Sequence, residues 1–572
     1  MGNRNVSRRL FVGGSAIAAA AIPLQPVLQA KTTNGSMVPY NGSKRMSACL
    51  DYRMETAKAE RVMMGVQPDN GDAARFTDFS ANYSKALQHD APGVPNQASM
   101  QSLIHALQTG EAADFASILV GTAGGGPNSK LNGPRGALAF DLEGLDSHST
   151  VIPPAPSVTS AQAAAEAVEH YWGALLRDVP FTEYPSNPLV AQAVADMNKL
   201  SFLQSAANRE FPTPVTPQNL FRGQFARGDG NVQGPYISQF LVQPTFLGAQ
   251  FLNQQTQTFL AADAGGSDFM TSVSEFLLIQ NGGDSGRRLA YDPTPRFIRA
   301  GRDLAAYTHV DVLYQEFLVA ALLLGGINAP VNPGNPYIGS KTEKPFGTLG
   351  GPDAVGTLTE MATRALKAAW FHKWMVDLGP RPEEYGGLVH AKLAKATPMP
   401  QAATALHPDA LNSAVLPFIY SKYGSYLLPQ AFPEGSPTHP CYPTGHGSVA
   451  GACITAIKFF FDGSQKIRPL LMAAQGDVVV PSTDGTLLNV YTGTDRDELD
   501  INGELTKLAY NVSFGHGIHS GIHFRSSTYW SILLGEQMAL SVLQDRANSY
   551  NEPFRISITK FDGTTATISN MT

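Results

Sequence analysis

From about residue 160 onward, apolar residues recur every three to four positions over most of the chain, which predicts amphipathic helices. SAQAAAEAVEHYWGALLRDV (160–179), PLVAQAVADMNKLSFLQSAANREF (188–211), RDLAAYTHVDVLYQEFLVAALLLGG (302–326) and TYWSILLGEQMALSVLQDRANSY (528–550) carry this period. They are built largely from good helix formers. Long Gly/Pro/Asn stretches such as INAPVNPGNPYIGS (327–340) separate them. Alternation with a period of two is rare, and the best candidate hairpin is FRISITKFDGTTATISN at 554–570. No internal repeat is evident. The pattern predicts a mainly α protein of packed helical bundles with minor short β hairpins.

The polar run at 31–114 reads as a loosely ordered N-terminal arm, followed by an N-terminal helical part (115–340) and a C-terminal helical bundle (341–572). The first thirty residues include SRRLFVGGSAIAAAAIPLQPVLQA, with Arg8-Arg9 ahead of a weakly hydrophobic small-residue run. This resembles a twin-arginine export signal of a bacterial protein, with cleavage near Ala30, and implies a periplasmic or secreted location. The apolar run FLVAALLLGGINA (317–329) is too short to span a bilayer and reads as a buried helix.

With 572 residues, 43% of them hydrophobic and 15% charged, the chain can bury a large core and is not a disordered polymer. The net charge of −6, without a basic stripe interleaved with aromatics, excludes an ordinary nucleic-acid binder. Three cysteines, Cys49, Cys441 and Cys453, make no disulfide framework. Cys441 lies two residues from His439 and either lines the same site or is a packed, inert thiol.

Three stretches carry candidate chemistry. RALKAAWFHKWMVDLGPRPEEYGG (364–387) reads as a helix to Val376 that Gly379-Pro380 terminates. Lys373 and Arg381 can then converge on one pocket, a point charge and a fork suited to an oxyanion. The bland alternative is two solvated charges at a helix end. HPCYPTGHGSVAGAC (439–453) sets His446 at a Gly-rich turn opening a helix, where exposed N–H groups can hold an anion beside an acid–base imidazole. Alone, it is equally well a plain turn. NVSFGHGIHSGIHFRSS (511–527) spaces His516, His519 and His523 at i, i+3 and i+7, one face of a regular helix, although its glycines argue against regularity.

Together these stretches resemble the vanadium-dependent haloperoxidases, close to the algal and cyanobacterial bromoperoxidases, a family that shares its core with the type 2 phosphatidic acid phosphatases. GPRGALAFDLEGLDS, DVPFTEY, RDLAAYTHVDVLYQ, ATRALKAAW, FPEGSPTHP and GELTKLAYN extend the likeness from about residue 115 to about 545. The resemblance implies a vanadate cofactor bonded by His523 through Nε2 and held by Lys373, Arg381, the Thr444 hydroxyl and the Gly445 N–H. It implies His446 as the acid–base group, Lys373 as the cation that polarises peroxide, His439 as a second pocket histidine and Trp370 as a residue near the halide. The implied reaction oxidises a halide, bromide in preference, with hydrogen peroxide to hypohalous acid. An organic acceptor is left open, and a homo-oligomer is expected, with no nucleic acid and no membrane span.

Two positions depart from the family pattern. An Arg is usual six residues before the vanadium-bonding histidine; here stands Gly517, with His516 adjacent and the segment one residue longer. An Asp is usual four residues after that histidine; here stands Ser527. His516 is therefore expected to replace the missing cation. Three alternatives follow: a phosphatase-like hydrolase with His523 as nucleophile and His446 as general acid, a helical scaffold without catalysis, or a divalent-metal site on His516, His519 and His523.

Overall fold

The computed structural model describes residues 42–63, 65–91, 94–126, 129–225 and 232–571. The expected export signal at 1–30 lies outside the described residues. The described residues fall into two units, one ending before Gly65 and one running from Gly65 onward. In the first, Gly42–Met63 forms one helix, α1.

The second unit is helical, as the apolar period requires. Its helices include α2 (Gln97–Thr109), α3 (Ala161–Leu176), α4 (Gly301–His309), α5 (Gln315–Gly326), α6 (Gly351–Phe371), α7 (Pro382–Leu393), α8 (Gly445–Phe460), α9 (Ile501–Ala509), α10 (His516–Ser520) and α11 (Arg525–Ser549). Among the described residues, four separate two-stranded antiparallel pairs complete it. One is the C-terminal hairpin, Arg555–Thr559 against Thr565–Ser569, whose strands bury Ile556, Ile558 and Ile568 on one face. Among the described residues no helix is long and apolar enough to cross a membrane.

The centre of the body is α8, packed against α11 and α6. Small residues allow the close approach of α8 to α11. A Cβ on Gly451 would stand 1.9 Å from the Ile532 carbonyl oxygen, and one on Gly535 the same distance from that of Ser448. Residues 65–114, expected as a loose arm, belong to this compact unit. Met100, Leu103 and Leu107 on α2 pack with Leu87, Ala137 and Trp374 in a small core of their own. Both sides of the expected 340/341 division also belong to the one unit.

Local signals fix the helix ends. Ser160 caps α3 by accepting from the Ala163 N–H. The helix starting at Pro188 stops at Met197, short of the predicted 211, because the Asn198 side chain bonds the backbone N–H and C=O of Val215 and turns the chain. The 302–326 pattern is split into α4 and α5 by a turn at 310–314, where Gln315 and Val312 exchange hydrogen bonds. That break frees Asp311 from helical geometry and carries it to the site.

Candidate active site

Helix α6 runs into a π-helical turn, His372–Asp377, that ends at Leu378 in the left-handed conformation (φ 44°). Such turns shift the side-chain register within a helix and recur at functional sites. Here Lys373 is turned inward, and Arg381 follows as the residue that opens α7. Both side chains are fully buried. Lys373 Nζ donates to the carbonyls of Pro440 (2.7 Å) and Cys441 (2.8 Å). The Arg381 guanidinium donates to the carbonyls of His439 and Ile522, each at 2.8 Å. It also lies 3.0 Å from His523 Nε2 and 2.9 Å from His439 Nδ1. The sequence-derived pair thus meets at one place. Among the described residues, neither cation has a carboxylate within ion-pairing distance. Burial, then the neighbouring Arg381 charge, pushes the Lys373 ammonium well below its ordinary range.

The opening of α8 forms the adjoining wall. Its N-cap, Thr444, makes no side-chain capping bond; Thr444 Oγ1 instead lies 2.9 Å from Ser527 Oγ. The first N–H groups of a sixteen-residue helix therefore receive no cap from that hydroxyl, which suits an anion. A Cβ on Gly445 would stand 3.3 Å from Leu366 and 3.5 Å from Trp370, so glycine keeps this approach narrow. Trp370 stacks obliquely on His439, with centroids 4.7 Å apart, and lies 5.9 Å from Lys373 Nζ. His446 keeps 17% of its side chain exposed and bonds Asp311 through Nε2 at 2.9 Å.

The histidine-rich stretch is not one helical face. A second π-helical turn, Tyr510–Gly515, takes up extra length after α9, and α10 has only five residues before Gly521 (φ +81°) ends it. His516 bonds Thr308 Oγ1 through Nδ1, and its ring centre is 4.4 Å from that of His446. His523, beyond the helix, presents Nε2 to Arg381 and Nδ1 to Cys441 Sγ (3.4 Å) and Ser527 Oγ (3.5 Å). His519 packs elsewhere, against Phe181 and Phe221, with Nδ1 3.4 Å from the Gly173 carbonyl. The divalent-metal reading is therefore corrected: the short helix and the left-handed glycine separate His519 from its neighbours. Among the described residues no group of three or more His, Cys, Asp or Glu is gathered for a metal ion.

Burial, then Arg381, Lys373 and His439, holds the His523 imidazole well below its usual value. Burial, then His446, His309 and Arg381, does the same to His516, and burial with Arg381 and Lys373 to His439. All three are neutral at neutral pH. Several groups at the site were not singled out in the sequence. Asp311 and Thr308 lie in the RDLAAYTHVDVLYQ stretch, where only a break in the helical period hints that one acid leaves the helix. Cys441, one of two readings left open, lines the cage. Arg525 takes no part; its guanidinium pairs with Glu169, Nε to Oε2 at 2.9 Å.

Two buried basic side chains, neutral imidazoles and an uncapped helix start converge here, an arrangement that suits an oxyanion. No protein-family model matches the chain. The vanadium-dependent bromoperoxidase of Corallina officinalis is 32% identical over 581 residues, covering 89% of this chain and 94% of that protein. That of Ascophyllum nodosum is 31% identical over 548 residues, covering 93% and 94%. The homohexameric structure of the second vanadate-dependent bromoperoxidase of Ascophyllum nodosum matches with a TM-score of 0.83 and 27% identity, covering 94% of this chain and 92% of that one. The chain belongs to the vanadium-dependent bromoperoxidase family and is a haloperoxidase.

Proposed function

We propose that vanadate sits between Arg381, Lys373, His523, His516, Thr444 and the N–H groups that open α8, and that bromide is the halide oxidised by hydrogen peroxide. The observation that carries this reading is that the Lys373 and Arg381 side chains are fully buried and, among the described residues, neither has a carboxylate within ion-pairing distance. Buried charge is costly unless paired, and an oxyanion supplies the counter-charge that this cage lacks. When bound, vanadate supplies a Lewis acid that activates peroxide toward the halide.

The protein's own residues do the rest. Arg381 and Lys373 neutralise the anion, and the burial around them keeps water from screening that charge. His523 offers an unprotonated Nε2. His446, the most exposed of the cage imidazoles and held by Asp311, moves protons between the anion and solvent. Trp370 and His439 wall the side from which a halide approaches. The direct test is vanadium content and dye bromination after incubation with orthovanadate, with chloride and a phosphate ester as competing substrates. Phosphate-ester hydrolysis without bromination would reject the reading.

Two expected outcomes belong here. A charge-assisted hydrogen bond contributes about 1.5–3 kcal/mol, so Arg381→Ala is expected to weaken vanadate by roughly tenfold or more; an unchanged Kd places the guanidinium outside the cage. His516 is neutral without ligand, and an oxyanion favours its charged form. Vanadate affinity is then expected to rise as pH falls toward and below the ordinary histidine value of ~6.5. His516→Arg flattens that slope and His516→Ala removes it. Parallel curves for all three exclude His516 from the cage.

We further propose that the chain assembles as a homo-oligomer, supported by the homohexameric Ascophyllum relative, and that Arg8-Arg9 direct its export. Light scattering of the mature protein and export of an Arg8→Lys/Arg9→Lys variant test these.

A further inference from the structure

His519, the histidine that packs away from the cage, meets the ring of Phe181 with centres 5.9 Å apart. Phe181 also lines a cavity of about 320 Å³, to which no cage residue contributes. Four aromatic rings, Phe181, Tyr184, Tyr236 and Tyr491, and four prolines give it flat walls. Phe181 and Tyr236 stack at 4.0 Å, and Tyr184 meets them edge-on at 5.3 and 5.7 Å. The Tyr236 hydroxyl donates to the Leu220 carbonyl at 2.9 Å, and that of Tyr491 to Asp495 Oδ1 at 2.8 Å. Asp495 Oδ2 accepts from the Gly234 N–H at 2.7 Å, which fixes the neighbouring stretch of wall. The cavity is thus formed before any guest arrives.

Thr182, Pro185, Gln218 and Val232 form an exposed rim, and Phe181, Tyr184, Ile237 and Ile298 a buried floor. Two arginines line the cavity, and among the described residues no acid does. Arg299 lies 3.5 Å from Asp303 and donates to the Asp484 carbonyl. Arg222 is 3% exposed and lays its guanidinium on Tyr236, 4.2 Å from the ring centre. Tyr184 is 1% exposed, and among the described residues its hydroxyl has no hydrogen-bond partner. Buried hydroxyls are seldom left so. The guanidinium and the residue with the free hydroxyl both border one ring, Tyr236.

We propose that this cavity binds a flat aromatic carboxylate of one or two fused rings. The rings lie against the aromatic and proline faces. The carboxylate accepts from the Arg222 guanidinium, whose planar fork matches it, and from the Tyr184 hydroxyl. An inorganic anion leaves the aromatic walls unfilled, and an uncharged ring makes no use of the guanidinium. No cage residue takes part, so the site stands apart from the vanadate reading.

Calorimetric titration of the purified protein with 2-naphthoate tests this. The parent is expected to bind it. 2-Naphthalenemethanol keeps the rings without the charge, and decahydro-2-naphthoate keeps the charge without the flat rings. Each is expected to bind roughly tenfold more weakly or worse, the effect of losing a charge-assisted hydrogen bond or the stacked faces. Tyr184→Phe removes one hydroxyl and is expected to weaken 2-naphthoate about three- to tenfold. Arg222→Gln is expected to bring it to the level of the alcohol, with partial recovery in Arg222→Lys. Thr182→Trp, at the exposed rim, is expected to block entry while circular dichroism shows the fold intact. Excess orthovanadate is expected to leave the affinity unchanged. The proposal is overturned if the parent gives no binding at millimolar 2-naphthoate, or if either analogue binds as tightly as 2-naphthoate. It is overturned equally if Tyr184→Phe and Thr182→Trp both leave the affinity untouched. Displacement by orthovanadate places the guest in the cage and overturns it as well.

Discussion

His523→Ala is expected to retain essentially no vanadium after gel filtration, whereas His446→Ala retains much of it and loses turnover. The two imidazoles differ in what surrounds them. His523 is buried, faces Arg381 at 3.0 Å through Nε2, and is kept unprotonated by burial and by the cations around it. A metal-bonding imidazole must be neutral. An unperturbed histidine loses half of that form near pH ~6.5; His523, with its value depressed, keeps its lone pair well below that. On the proposed assignment, losing His523 removes the nitrogen bonded to vanadium and leaves hydrogen bonds and charge to hold the anion. His446 lies at the partly exposed edge and bonds Asp311. On the proposed assignment, its removal takes away proton transfer, typically a factor of roughly 10²–10⁴ in rate, and leaves Arg381, Lys373 and His523 in place. Vanadium analysis and steady-state bromination on both variants check the pair. If His523→Ala binds vanadate as tightly as the parent, the ligand assignment is wrong.

The helices were legible because their apolar stripes and caps are local signals. α3 and α11 begin and end within a few residues of the pattern that announced them, and so does the C-terminal hairpin. Lys373, Arg381 and His446 were legible because each stands at a helix end, where a break in pattern marks the position of the residue. The partners of these residues were not. Asp311 reaches His446 because α4 and α5 are separate helices, and the apolar run through 302–326 hides the turn between them. The two π-helical turns leave no trace in a 3.6-residue period, yet one aims Lys373 inward and the other takes up the extra length before His516. The i, i+3, i+7 spacing of the three histidines misled for a related reason. Spacing implies a shared face only while the helix lasts, and this one lasts five residues. Cys441 beside His523 is a contact between segments more than eighty residues apart, set by tertiary packing alone.

Ser527→Asp is expected to tighten vanadate binding by about 10–100-fold, the range over which groups behind a metal-bonding histidine act. In the parent, His523 Nδ1 meets the Cys441 thiol at 3.4 Å, the Ser527 hydroxyl at 3.5 Å and the edge of the Arg381 guanidinium at 3.5 Å, and among the described residues no carboxylate. Ser527 Oγ is itself committed, donating to the Cys441 carbonyl at 3.0 Å. None of the three accepts the Nδ1 proton as strongly as a carboxylate, so Nε2 is a weaker donor than it would be with an anion behind it. A carboxylate at 527 would accept that proton, fix the tautomer that leaves Nε2 free, and enrich the lone pair facing the cage. Its cost is burial, since Ser527 is fully enclosed. The nearby Arg381 and Lys373 offset that cost, because among the described residues neither has a carboxylate within ion-pairing distance. The sign therefore depends on whether the charge is used at Nδ1 or at the guanidinium. If the new carboxylate bonds Nδ1, the Kd for vanadate falls and the pH at which vanadium is released on acidification shifts downward. If it captures Arg381 instead, the anion loses a donor and the Kd rises. Isothermal titration with orthovanadate on the parent, Ser527→Asp and Ser527→Asn separates the two, since the amide keeps the size of the aspartate without its charge. Equal affinity in all three would show that the wall behind His523 has no hold on the metal-bonding nitrogen.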